Sequence, residues 1–134
     1  MTVAGQPSSP ERAVSSLTVV LVALVALLHA YFLVLEMFLW TKPAGRRAFG
    51  TTQEQAEQSK VLAMNQGLYN GFLAAGLLWG LTLGAAGRSV VIFFLLCVIV
   101  AGVFGAATAS RKILYVQALP GVVALVAVVV AGRG

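Results

Sequence analysis

From Leu17 to Trp40 the chain reads LTVVLVALVALLHAYFLVLEMFLW, an apolar run that carries only two side chains titrating near or below neutrality, His29 and Glu36. A helix needs about 20 such residues to cross a hydrocarbon core about 30 Å thick. A cleaved secretory signal has an apolar core of only about 7–15 residues, so this run reads as a retained transmembrane helix. Composition agrees with that reading. With 60% hydrophobic residues, 10% charged residues and a mean hydropathy of +0.95, there is too little polar surface to cover a water-soluble sphere.

The 134 residues leave room for about four spans with short connections and none for a separate soluble domain. The expected fold is all-α, an integral membrane four-helix bundle with glycine-rich helix packing. Residues 1–14, rich in Pro, Ser and Gly, are expected to form a disordered leader, and residues 15–134 a single four-helix transmembrane domain. The spans are expected at about 17–40, 61–83, 90–109 and 113–131. Between the first two, residues 41–60 break the hydropathy, and a capping box of Thr52 with Gln55 or Thr51 with Glu54 starts a polar helix that runs into the second span. Ser89 is the expected cap of the third span, and Ser110, Arg111 and Lys112 make a tight turn into the fourth.

Charge orients the chain. The first and third loops hold Lys42, Arg46, Arg47, Lys60, Arg111 and Lys112, against Arg12, Arg88 and Arg133 on the other side, six cations against three. The positive-inside rule therefore puts loops 41–60 and 110–112 in the cytoplasm and both termini outside. The net charge of +5 is spread over these loops rather than gathered on one domain, which argues for lipid headgroups as partners and against nucleic acid. One cysteine, Cys97, excludes an internal disulfide or a CxxC redox site, and one histidine excludes a multi-histidine metal cage. No metal and no cofactor is expected.

Polar chemistry concentrates on the loop-one side. Glu36 closes the first span, Asn65, Gln66, Tyr69 and Asn70 open the second, Thr108 ends the third, and Gln117 begins the fourth. His29 and Glu36, seven apart, stand about 20° from eclipsed and about 10 Å apart along the axis, too far for a direct hydrogen bond. Asn65, Gln66, Tyr69 and Asn70 fall within an arc of about 140°, and Gly76, Gly80 and Gly84 continue it, so the whole face is expected to turn into the bundle. A carboxyl group in hydrocarbon must be protonated, paired or hydrated, and the candidates to satisfy Glu36 are His29 through water, Asn65, Gln66, Tyr69 and Arg111. Cys97, Ala101 and Gly105 read as a small-residue packing seam. Pro120 frees the carbonyl of Val116 beside Gln117, and Arg46 with Arg47 faces lipid phosphates or an anionic substrate.

Together the segments HAYFLVLEMFLW, RRAFG, NQGLYNGFLAAGL, CVIVAGVFGAAT and VQALPGVVAL resemble a small four-span bacterial family, catalogued as a domain of unknown function and numbered thirteen-hundred-and-four. The resemblance covers nearly the whole chain after the leader. It implies a four-span architecture in a bacterial inner membrane, marks His29, Glu36, Asn65, Gln66, Tyr69, Asn70, Thr108 and Gln117 as the family's polar positions, and supplies no activity. Three functions remain open. The first is a small-molecule or lipid binder or transporter with a one-sided intramembrane polar pocket, working as a homo-oligomer or in a larger membrane complex. The second is a membrane-embedded enzyme on a lipid-like substrate with Glu36 as acid or base, and the third a structural accessory subunit.

Overall fold

A computed structural model of the protein describes Gly5 and residues 9–132, with the side chains of the first helix described from Ser15 onward. Every regular element among the described residues is helical: α1 (Ser9–Met37), α2 (Pro43–Phe49), α3 (Gln53–Thr82), α4 (Arg88–Thr108) and α5 (Leu119–Ala131). A 3₁₀ turn, Gly84–Gly87, links α3 to α4, and a π-helical turn, Leu114–Ala118, leads into α5. The first helix begins at Ser9, within the stretch expected to be a disordered leader, and Pro10 sits in its first turn, where a missing N–H costs nothing. The remainder of that leader, residues 1–4 and 6–8, lies outside the described residues.

Among the described residues three segments are long and apolar enough to cross a membrane: Ser15–Met37, Gly84–Thr108 and Leu114–Ala131. The expected second span, in α3, is not among them: residues 53–60 are polar, and Asn65, Gln66, Asn70 and the glycines dilute the apolar positions that follow. The four long helices alternate in direction and close into a ring in which α1 meets α3, α3 meets α4, α4 meets α5 and α5 returns to α1. Leu77, Leu95, Val22 and Val98 are fully buried where they converge.

Helix termini follow local chemistry at one end and not at the other. Thr52 and Gln55 form the expected capping box, the Gln55 backbone N–H donating to Thr52 Oγ1 at 3.2 Å and the Thr52 N–H to Gln55 Oε1 at 3.0 Å. This starts α3 at Gln53, well before its apolar part. Ser89 does not cap α4. The 3₁₀ turn winds directly into that helix, so Gly87 occupies the cap position and makes no side-chain bond. Pro120, lacking an N–H, leaves the Val116 carbonyl without its helical donor, and the ladder there widens into the π turn.

Glycines set the helix register, but not as a single stripe. A β-carbon at Gly67 would lie 2.7 Å from Met37 Cγ and 3.0 Å from Glu36 Cβ, so Gly67 lets α3 press against the end of α1, and Gly71 meets Leu33 one turn deeper. Gly76 and Gly80, about half a turn around the helix from that pair, face α4 through Phe94 and Val91. Gly84, expected to extend the stripe, instead adopts φ 58° in the turn with open space around it. The seam expected at Cys97, Ala101 and Gly105 is displaced by one residue. The buried line on α4 is Val91, Leu95, Val98 and Gly102, while Ala101 is exposed and Cys97 only half-buried.

Candidate functional site

Met37 packs against Gly67, so about 14 residues of α3, roughly 20 Å of helix, project beyond the end of α1. That offset sorts the polar cluster. Asn65 and Gln66 lie in the projecting part and are exposed, and Tyr69 points outward with 61% of its surface accessible. The expectation that this whole face turns inward is therefore corrected: Asn70 alone of the four is buried.

Asn70 is the partner of Glu36. Its Nδ2 donates to Glu36 Oε2 at 2.7 Å, with Glu36 7% and Asn70 6% exposed. Gly67 allows the contact, because any larger residue one turn before Asn70 would hold the two backbones apart. Among the described residues no Lys or Arg pairs with the Glu36 carboxyl; Arg111, one of the proposed partners, is exposed in the turn after α4. A neutral amide donates a hydrogen bond but no charge, so in its ionised form the Glu36 carboxylate has no counter-charge from Asn70.

His29 lies two turns deeper on the same face of α1 and is fully buried. Its Nδ1–H donates to the Val25 carbonyl at 2.8 Å, which in a neutral ring leaves Nε2 as the bare nitrogen. Nε2 is buried and has no partner among the described residues, and Phe32 stands edge-on to the ring at 5.7 Å. The α1–α5 register, with Thr18 opposite Ala127 and Val25 beside Pro120, brings His29 roughly level with the π turn. An apolar groove of about 450 Å³ runs along that seam between Leu21, Leu24, Leu28 and Val123.

The two remaining predicted residues stand apart. Gln117 is half-buried and donates through Nε2 to the Val98 carbonyl at 3.2 Å, tying the π turn to α4. Thr108 is exposed and its hydroxyl returns to its own helix, donating to the Phe104 carbonyl at 2.8 Å. Sequence reasoning missed Gly67 and Gly102, two positions at which neighbouring helices approach closely. Gly67 and Gly71 were detectable as a four-residue small-residue spacing on the turn that carries Asn70.

The model of the family described as a protein of unknown function, DUF1304, matches residues 23–129, which include all eight polar candidates. An uncharacterized protein, YpaA, of Lactococcus lactis subsp. lactis (strain IL1403) is 33% identical over 112 residues, covering 82% of this chain and 94% of that relative. No solved structure matches the chain. The match runs across nearly the entire apolar region, and on that extent the chain belongs to the DUF1304 family.

Proposed function

We propose that the chain is a multi-pass protein of the bacterial plasma membrane, with α3 as a fourth crossing, that binds and in an oligomer moves a small protonatable molecule or lipid. The observation that carries the proposal is the buried Glu36 carboxyl, held by the Asn70 amide with no cation beside it. Several features support α3 as a crossing. From Gly67 to Thr82 its exposed positions are Leu68, Tyr69, Phe72, Ala75, Leu78, Trp79 and Thr82, most of them large and apolar, while its buried positions are Gly, Ala, Asn and one Leu. Small residues inside and large apolar ones outside are the pattern of a membrane helix packed among others, and their average hides the outward face. Tyr69 and Tyr115 are exposed in the loop-one half of the helices, and amphipathic aromatic side chains are enriched near a membrane interface.

In this reading loops 41–60 and 110–112 face the cytoplasm, which puts the Glu36–Asn70 pair just inside the cytoplasmic boundary. Alkaline phosphatase fused to the carboxyl-terminal end is expected to be active; an inactive fusion beside an active one in loop 41–60 reverses the orientation.

Glu36→Gln separates chemistry from packing, because the glutamine oxygen still accepts from Asn70 Nδ2 while the exchangeable charge is gone. In proteoliposomes loaded with a pH-sensitive dye and driven by a potassium diffusion potential, the wild-type protein is expected to pass protons above empty vesicles. Glu36→Gln is expected to reduce that flux by about tenfold or more, the scale of losing one proton-transfer group. Wild-type flux in a folded Glu36→Gln protein removes Glu36 from the mechanism and leaves the pair as a helix tie.

A further inference from the structure

The short helix α2 forms a second polar site, on the loop-one side and separate from Glu36. It is seated rigidly. Gly45 lies directly on the Leu39 carbonyl, where a β-carbon would overlap backbone, and the Trp40 and Phe49 rings meet at 4.8 Å. Trp40 Nε1 donates to Ser59 Oγ at 3.1 Å, and Ser59 Oγ donates to the Gln55 carbonyl at 2.7 Å, which ties the connection to the projecting part of α3. Gly50, at φ 66°, ends α2, and the N–H groups of Gly50 and Thr51 both reach the Arg46 carbonyl.

This seating builds a pocket of about 330 Å³ lined by Pro43, Arg46, Arg47, Gly50 and Thr51. Arg46 Nε and Thr51 Oγ1 are buried atoms that have no partner among the described residues. No carboxylate lines the pocket; Glu54 accepts from Gln58 and Glu57 from Gln53, with Lys60 3.6 Å away, all along α3. Arg46 Nε and Thr51 Oγ1, donors without a partner among the described residues, line the cup together with the exposed Arg47, and no carboxylate lies in its lining. Guanidinium forks match the oxygens of a phosphoryl group in a way that a single ammonium does not.

We propose that this α2 cradle binds a phosphoryl group, a phosphate monoester or diester, through Arg46, Arg47 and Thr51. The pocket is larger than a phosphate and has room for what is esterified to it. Where α1 is a membrane crossing, as in the functional reading above, the cradle sits at headgroup level and the phosphate is that of an anionic lipid.

The full-length protein in phosphate-free detergent solution tests this, in a Trp79→Phe background that leaves Trp40, against α2, as the one tryptophan, excited selectively over the tyrosines. Three probes are titrated: dihexanoyl phosphatidic acid, inorganic phosphate, and octanoate as an anionic amphiphile without phosphorus. Phosphatidic acid is expected to give a saturable change in Trp40 emission that inorganic phosphate competes away. Arg46→Lys, which keeps the charge and loses the Nε donor, is expected to weaken it roughly tenfold. Arg47→Lys provides the same comparison if Arg46→Lys fails to fold. Tighter binding of the lipid than of inorganic phosphate assigns the site to a headgroup, and equal binding assigns it to a soluble phosphate. The proposal is overturned by no saturable response to either phosphate, by equal binding of octanoate, or by undiminished affinity in the folded lysine variant. The assay involves no proton flux, so a null result for Glu36 transport with saturable phosphate binding leaves the cradle standing.

Discussion

Asn70→Leu is expected to destabilise the protein by about 3 kcal/mol, because it leaves the Glu36 carboxyl buried beside an isobutyl group with its one donor removed. The comparison that gives the number meaning is a cycle. Glu36→Gln preserves the acceptor and is expected to cost less than about 1 kcal/mol, whereas Glu36→Leu with Asn70→Leu removes donor and acceptor together and is expected to recover most of the single-variant loss. Reversible unfolding in mixed micelles gives all four corners, wild type, Asn70→Leu, Glu36→Leu and the pair, with Glu36→Gln as a control outside the cycle. If Asn70→Leu costs under about half a kcal/mol, the carboxyl has another partner in solution and the 2.7 Å bond does not hold α1 to α3.

Gly102→Val is the second large effect, expected at about 3 kcal/mol or more, at and beyond the top of the usual range for overpacking. A β-carbon at position 102 would lie 2.9 Å from Ala118 N and 3.0 Å from Ala118 Cα, so it meets backbone, which can yield only by moving the π turn. That movement would also break the bond from Gln117 to Val98. Gly105→Ala is the control on the same helix. Its β-carbon would approach only side-chain atoms of Ile113, at 3.3 Å, and a rotation there relieves the contact at a cost below about 1 kcal/mol. Equal losses in the two variants, read by the same unfolding measurement, would falsify the view that α4 and the π turn meet backbone to backbone.

The need for a partner at Glu36 was legible in the sequence, and the identity of that partner was not. Glu36 stood out because an acid in an apolar run must be satisfied, and the structure satisfies it with an amide from α3. Which amide was not legible. Asn65, Gln66 and Asn70 share one broad arc, and choosing among them requires knowing how far α3 slides along α1, a quantity settled by Gly67 against Met37. The glycine stripe misled for a related reason. Spacing of four marks where a helix can be approached, but not by which neighbour, and here the pairs Gly67 with Gly71 and Gly76 with Gly80 serve different helices. Ser89 is a competent cap by residue type, yet a cap is needed only where the chain enters a helix from extended backbone. The 3₁₀ turn at Gly84–Gly87 removes that need.

By itself the sequence determined what depends on neighbours within one turn or on solvation alone: helices where apolar runs lie, a capping box at Thr51 or Thr52, a ladder disturbed before Pro120, and a cost for every polar group inside the apolar run. Tertiary structure decided the axial and angular registers, and with them that Asn70 turns inward while Asn65, Gln66 and Tyr69 turn outward. The physical reason is that a helix fixes the relative positions of its own residues but not its rotation or slide against another helix. Those are set by where two surfaces can come closest, at Gly67 against the end of α1, at Gly76 and Gly80 against α4, and at Gly102 against the π turn.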